Sequence, residues 1–354
     1  MKGIILHGGY GTRLRPLTHT GPKQLLPIAN KPMSQYALED LKEAGITEIG
    51  IIIGDVYPEK VKEFYGDGKK FGVKITYIFQ EKPKGISHAI RLCKDFVGDD
   101  KFVVYLGDNV LRKGLPEYVK RFESENIDAM ILLCEVDDPS KFGVVELDAQ
   151  KRIKKIVEKP KNPPSKLAVI GVYFLSPAIF DIIDKLKPSL RGELEITDAL
   201  QLLMDDGYLI TYDTVTGWWK DTGTPEDILH ANQLILDTIV SRKKFVSSDS
   251  EIHGNIIIGK NTTISKDSTI TGPVIIGDNC NIGPAARIGP YVSIGNNSNL
   301  IHCEIVNSII MDGSKIEAKI HISDSIIGHD TEITIPDQQK PHRFLLGEKS
   351  QIKQ

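Results

Sequence analysis

The 354-residue chain has only four cysteines, Cys93, Cys134, Cys280 and Cys303, spaced too far apart for a C-x-x-C pair or a zinc cluster. That excludes a disulfide framework and a thiolate metal site; Cys93, Cys134 and Cys280 lie among apolar neighbours and read as small hydrophobes. No apolar run reaches the ~18 residues of a membrane span. The first residues already read as a strand, so we expect no signal peptide and a cytoplasmic protein. A net charge of -3 leaves no field to attract nucleic acid or an anionic membrane. The basic clusters at 151–155 and 242–244 are short enough to be solvated surface. Two familiar phosphate motifs are also missing: G-x-G-x-x-G fails at Leu14, and Gly-Lys-Ser/Thr does not occur.

What is present near the start is the apolar run Ile4, Ile5, Leu6, then Gly8, Gly9 and Gly11, then Arg13 and Lys23. Glycines where a strand stops let backbone N–H groups approach a ligand, and Arg13 and Lys23 add cations suited to a triphosphate. A tight turn with two solvated cations is the plainer alternative.

Through residue 240, strand and helix patterns alternate. Apolar runs rich in Ile and Val predict strands at Glu48–Gly54, Lys74–Gln80, Phe102–Gly107, Ala129–Val136 and Ala168–Leu175. Helical spacing predicts helices at Met33–Ala44, Ile86–Phe96 and Leu115–Phe122. Alternation of this kind implies an α/β fold, a Rossmann-like mostly parallel sheet with helices on both faces. Ligands then gather at the carboxyl ends of the strands, where Gly8, Gln80, Gly107 and Asp108 are expected.

After residue 240 the period changes. Ile252, Ile258, Ile264, Ile270, Ile276, Ile282, Ile288, Ile294 and Leu300 recur every sixth residue, and Val306 continues the count. The register then slips, with Ile310, Ile316, Ile322, Ile327 and Ile333 carrying it on. This is the hexapeptide pattern of a left-handed parallel β-helix, whose coils bury their aliphatic rows only by stacking. The expected organisation is a catalytic domain over 1–240, a linker over 241–251, the β-helix over 252–335 and a tail over 336–354 that closes its far end.

GGYGTRLRPLT at 8–18 followed by PKQLLPIANKPM at 22–33 resembles the signature of sugar-1-phosphate nucleotidylyltransferases, and KQLLPI resembles the glucose-1-phosphate thymidylyltransferase branch. YLGDN at 105–109, FGVVEL at 142–147, EKP at 158–160, RGELEITD at 191–198 and WKDTGT at 219–224 follow in the family's order. The resemblance implies transfer of a nucleotidyl group from dTTP or UTP to glucose 1-phosphate, with Mg²⁺ as cofactor and release of pyrophosphate. It implies Arg13, Lys23, Asp108, Lys159 and Asp221 as the catalytic set, with Asp108 and Asp221 holding the metal. Nucleotide binding is implied for Leu6, Gly8, Gly9, Gly11, Thr12, Gln24, Gln80 and Gly85 beside Arg13, Lys23 and Asp108. Glu158, Lys159, Gly143, Val169 and Arg191 are implied at the sugar phosphate, with Glu193 and Glu195 at its border. Asp108 read alone would equally be an Asx turn or N-cap, and Glu195 with Asp198 a helix start. His7, His88 and Phe142 depart from the family pattern, which usually has a small residue, a glutamine and a tyrosine there.

Two other readings stay open. A paralogue could hold nucleotide sugars without turnover. The β-helix could instead add a sugar-amine acetyltransferase, for which His253, His302, His321 and His329 are candidate bases. Self-association into a homo-oligomer is the expected use of the prism.

Overall fold

The computed structural model describes residues 1–241, 251–335 and 341–353. The linker expected at 241–251, with its basic cluster at 242–244, falls almost entirely outside them. The chain divides into two compact units, one of Met1–Gly9 with Ser34–Asp221, the other of Tyr10–Met33 with Thr222–Gln354. This cut differs from the contiguous 1–240 domain expected above.

The first unit is built on a nine-stranded sheet. Phe102–Leu106, Lys2–His7, Glu48–Ile53 and Lys74–Phe79 lie side by side and parallel. Lys2–His7 and Glu48–Ile53 are nearly continuous apolar runs buried on both faces, as central parallel strands must be. A Cβ on Gly3 would meet Leu41 Cδ1 at 3.0 Å, and one on Gly50 would meet Phe96 at 3.0 Å. These neighbouring strands present the two glycines to opposite faces, so the helices Met33–Glu43 and Lys94–Val97 cover one face each.

The other half of the sheet is antiparallel apart from its Ile210–Thr214 strand, which pairs parallel with Ala129–Glu135. Leu167–Leu175 runs against Phe102–Leu106, Ala129–Glu135 and Gly143–Leu147 in turn, and Ile153–Glu158 closes that edge. The Rossmann-like sheet is therefore mixed, with antiparallel pairings centred on Leu167–Leu175. The helix expected over Ile86–Phe96 is two pieces, Ile86–Arg91 and Lys94–Val97. Its winding tightens where the Cys93 N–H donates to Ile90 O at 2.9 Å, and the next turn is re-aimed around the buried Cys93.

The second unit contains three six-stranded parallel sheets, each taking one strand from every coil. Ile270, Ile276, Ile282, Ile288, Ile294 and Leu300 point into one continuous core with Ile305, Ile310, Ile316, Ile322, Ile327 and Ile333. Two expectations need correction. The inward residue after Leu300 is Ile305 and not Val306: Ile305 pairs with Ile288 and Ile322 and is fully buried, while Val306 is half-buried and pairs with Ser323. The shortened coil drops a residue one step earlier than the count implied. The expected tail is itself a coil, since Pro341–His342, Leu345–Leu346 and Gln351–Lys353 each add the last strand to one sheet.

Before the coils, the same unit holds the helix Pro225–Leu236, begun by Thr224, whose Oγ1 accepts from the Asp227 N–H at 3.2 Å. It also holds the Tyr10–Met33 segment, with 3₁₀ turns at Thr12–Leu14 and Lys23–Leu25 and a hairpin pairing Ile28 with Lys31. Ala29 and Asn30 at its tip both take positive φ, 48° and 61°, the conformation of a two-residue turn whose twist matches its strands.

The corrected register is open to test by truncation. Ile305→Ala should lower stability by about 2–4 kcal/mol in denaturant titration, whereas Val306→Ala should cost less than about 1 kcal/mol.

Candidate active site

In the first unit, the strand Lys2–His7 stops at Gly8 and Gly9, with Leu6 buried just inside the end of the strand. Its parallel neighbours stop alongside. The Gln80 N–H donates to Ile53 O at 2.8 Å and the Gly107 N–H to Leu6 O at 3.0 Å, so Gly8, Gln80 and Asp108 leave the sheet at the same carboxyl end. The Gln80 amide is buried, with Nε2 2.8 Å from His88 Nδ1 and Oε1 3.8 Å from the position of a Cβ on Gly8. Burial, then the charges of Arg91 and Lys84, lower the His88 pKa and favour the neutral ring. A neutral ring can accept through Nδ1, which fixes the Gln80 amide with Oε1 toward the glycine turn. Gly85 has φ 96°, and a Cβ there would lie 2.5 Å from Leu194 O. Its lack of a side chain lets the Lys84–Ser87 turn bond to Leu194 on both sides, through Leu194 N–H to Lys84 O and Ser87 N–H to Leu194 O.

The two aspartates are brought together by a short ladder. Asn109–Leu111 runs antiparallel to Trp219–Asp221, with Asp221 opposite Asn109. Asp108, the next residue, therefore lies at the same end as Asp221. Asn109 is buried and organises the corner. Its Nδ2 donates to Asp108 Oδ1 at 3.0 Å, and its Oδ1 accepts from Trp219 Nε1 at 2.6 Å and Gly171 N–H at 3.2 Å. A Cβ on Gly171 would come 2.7 Å from that Oδ1, so the glycine is required. Two carboxylates supply hard oxygen donors of the kind Mg²⁺ takes. No group of three His, Cys, Asp or Glu forms a metal cage among the described residues.

The third group is an acidic network. Arg191 Nη2 donates to Glu158 Oε1 at 3.1 Å and Glu195 Oε2 at 2.8 Å, and lies 3.6 Å from Glu193. Ser189 Oγ donates to Glu195 Oε1 at 2.7 Å, so the Glu195 carboxylate serves the network and does not cap the Ile196–Asp205 helix that it precedes. Thr197 Oγ1 donates to Glu158 Oε2 at 3.1 Å, and Lys159 Nζ sits 3.4 Å from Glu158 Oε1. Gly143 closes in on this group: a Cβ would meet Thr197 Cγ2 at 2.5 Å, Glu158 Oε2 at 3.4 Å and Val169 Cβ at 3.7 Å. Burial, then Glu195 and Glu158, raises the Asp198 pKa. With its guanidinium engaged by three carboxylates, Arg191 acts here on Glu158 and Glu195, while Lys159 is the cation of the group that faces fewer of them.

In the second unit, Gly11 has φ 59° and is crowded by Thr18 and Lys23; a Cβ would lie 2.9 Å from Thr18 Cγ2 and 3.4 Å from Lys23 Cβ. Thr18 Oγ1 donates to Gly11 O at 2.8 Å, and the Leu14 N–H to the same carbonyl at 2.9 Å. The turn Thr12–Leu14 is thereby folded back toward Lys23 and the buried Gln24. Arg13 lies against Gly223, where a Cβ would come 3.1 Å from Nη2. The sequence reading left Gly223, Asn109, Trp219 and Thr197 without roles. All four stand inside its motifs, but only packing distinguishes them from their neighbours.

Among the described residues, His7 is the one buried side chain with both polar atoms unpaired. Neither Nδ1 nor Nε2 has a hydrogen-bond partner, and its ring meets Tyr65 edge-on at 5.9 Å between centroids. Burial lowers its pKa to about 3, against a weaker raising effect of Asp108.

Comparison with known proteins bears on the family. The nucleotidyl transferase family model matches residues 2–238, and the GMPPB C-terminal domain model matches 270–354. The low-salt glycan biosynthesis nucleotidyltransferase Agl11 of Haloferax volcanii is 52% identical over 356 residues, covering 100% of both chains. A glucose-1-phosphate thymidylyltransferase of Streptomyces antibioticus is 42% identical over 99% of both. A Bacillus anthracis crystal structure described as a glucose-1-phosphate thymidylyltransferase in complex with sucrose superposes with a TM-score of 0.64 at 45% identity, over 68% of this chain and 98% of that one. A UDP-glucose pyrophosphorylase holding UDP-glucose gives 0.61 at 30% identity, over 67% of this chain and 98% of that one.

The buried neutral His7 makes stability depend on pH. The unfolded chain takes up a proton near the ordinary value of 6.5 and the native state only near 3, so stability falls as pH drops from 6.5 toward 3. The loss is on the order of 1 kcal/mol per pH unit. His7→Ala should flatten that slope in denaturant titrations between pH 7 and 5; an unchanged slope would place the ring elsewhere.

Proposed function

We propose that this chain, which belongs to the nucleotidyl transferase family, joins glucose 1-phosphate to the nucleotidyl group of dTTP or UTP. Its activity class is sugar-1-phosphate nucleotidyl transfer, and the finer choice of substrates is our reading of the site. A phosphate oxygen of the sugar phosphate forms a bond to the α-phosphorus, the bond from that phosphorus to the bridging oxygen breaks, and pyrophosphate leaves with the electron pair. The attacking oxygen is already anionic near neutral pH, so the protein's task is to align the reactants and relieve crowded negative charge.

The observation that carries this reading is the pairing of Asn109 with Asp221, which sets two carboxylates at one end of a ladder beside the carboxyl end of the sheet. Asp108 and Asp221 would hold Mg²⁺, which supplies charge neutralisation at the phosphates. Arg13 and Lys23 bind the triphosphate near the breaking bond, where Gly8, Gly9, Gly11 and Thr12 offer backbone N–H groups. Gln80, held by His88, presents an acceptor and a donor matching the O4 and N3–H edge of thymine or uracil, with Gly85 assigned to the same base and Gln24 to the deoxyribose or a hydroxyl. Lys159 takes the sugar phosphate, and Glu158, oriented by Arg191 and Thr197, takes sugar hydroxyls, with Gly143 and Val169 along the wall.

Thymidylyltransferase relatives favour dTTP, and the UDP-glucose complex of a structural neighbour keeps UTP in play. We read the β-helix as a scaffold for a cytoplasmic homo-oligomer. His253 and His321, two of the candidate acetyl-transfer bases, stand on the first and fifth strands of one sheet.

A matrix of nucleoside triphosphates against hexose 1-phosphates with Mg²⁺ tests the assignment, with dTTP or UTP and glucose 1-phosphate expected to give the highest kcat/KM. A purine preference would overturn the role of Gln80. Lys159→Ala should raise KM for the sugar phosphate roughly tenfold to a hundredfold, the worth of one charged hydrogen bond, and leave that for the triphosphate nearly unchanged.

A further inference from the structure

One face of the β-helix carries an aliphatic column with a single interruption. Along the sheet that starts at Ile256–Ile258, the outward residues in register are Ile257, Ile275, Ser293, Ile309, Ile326 and Leu345. A solenoid face repeats with every coil, so an apolar helix laid against it finds nearly equivalent seats one coil apart. Ser293 breaks that equivalence.

Ser293 is fully buried, and its Oγ donates to Oδ1 of Asn232 at 2.6 Å. Asn232 is fully buried too, on the helix Pro225–Leu236 among Ile228, Leu229 and Leu236. The same Oδ1 accepts the Ala29 N–H at 2.8 Å, and the next residue, Asn30, donates from Nδ2 to Ile294 O at 2.5 Å. One oxygen therefore ties together the helix, the β-helix coil and the hairpin tip that ends the segment bearing Arg13 and Lys23. A second seat lies at the segment's other end, where a Cβ on Gly347 of the last coil would come 3.1 Å from Pro16 O. Asn232 Nδ2 is buried with no hydrogen-bond partner, so the arrangement gives up stability that an apolar pair would keep. Polar groups retained at such a cost are best attested as devices that fix register, as a single buried Asn does in a coiled coil.

We propose that Asn232 is a positioning residue: by reading Ser293 it selects the coil on which the Tyr10–Met33 segment is seated, and so places Arg13 and Lys23 for the triphosphate. The last step rests on the function proposed above, while the seating itself does not.

The test replaces the polar pair by an apolar one in the full chain, Asn232→Leu with Ser293→Ile. This double variant should fold with a Tm no lower than wild type, yet peptides covering Ala29 and Asn30 should exchange amide hydrogen roughly tenfold faster, as expected when one or two hydrogen bonds are lost. Triphosphate Kd by calorimetry and triphosphate KM should rise by about the same factor, with kcat and the sugar phosphate KM changing less than about twofold. Asn232→Asp keeps an accepting oxygen and should restore protection and affinity toward wild type. If the double variant does not fold, Ser293→Ala carries the same readouts with a smaller expected change. Wild-type exchange at Ala29 would overturn the seating. Faster exchange with unmoved triphosphate affinity would make the network structural only and overturn the positioning role. If the wild type turns over no triphosphate and sugar phosphate pair while exchange still rises, the functional reading fails and the seating stands.

Discussion

Two carboxylates held at the end of one short ladder repel each other, and much of the first unit serves to make that arrangement tolerable. Asp108 and Asp221 come from distant parts of the chain and meet because Asn109–Leu111 and Trp219–Asp221 pair. Asn109 absorbs part of the cost by donating to Asp108 while it anchors Trp219 and Gly171. Two carboxylates offer the oxygen donors that a divalent cation takes, which is why a metal belongs to the proposed chemistry.

The same logic runs through the acidic network around Glu158. Four carboxyl groups, Glu158, Glu193, Glu195 and Asp198, surround one guanidinium, and Arg191 bonds to two of them directly. A site of this kind holds Glu158 in one orientation while leaving its neighbourhood acidic, which suits sugar hydroxyls better than a free phosphate. In the proposed reading, Lys159 supplies the positive charge that a phosphate needs. Backbone fits complete the wall, because Gly85, Gly143 and Gly171 each lie where a side chain would collide with a neighbour.

The second unit uses repetition in place of charge. Its coils are stabilised by stacking like on like, which makes the core easy to build and every coil similar to the next. Similarity is a weakness where another segment must dock at one place. Ser293 and Asn232 answer it with a buried polar contact, and the Ala29–Asn30 turn is secured to the same coil.

Much of this was legible in the chain itself. Period six announced the β-helix, since only inward aliphatics need recur, and β-branched runs announced the buried strands. Asp108 and Lys159 were named by the family resemblance of the motifs that hold them, since Asp108 read alone would equally be an Asx turn or N-cap, while Arg13 stood out as a cation after a glycine turn. Side-chain pattern says nothing about strand direction, so the antiparallel pairings around Leu167–Leu175 were invisible. It also places an inward residue only to within one position where a coil shortens, which is why Val306 stood in for Ile305. The Ile305 register, the last coil at 341–353, the Asn109 corner and the oxygen of Asn232 were decided by tertiary structure alone. Each depends on which segment a residue meets across the fold, and that partner is not encoded in the residue's own neighbourhood along the chain.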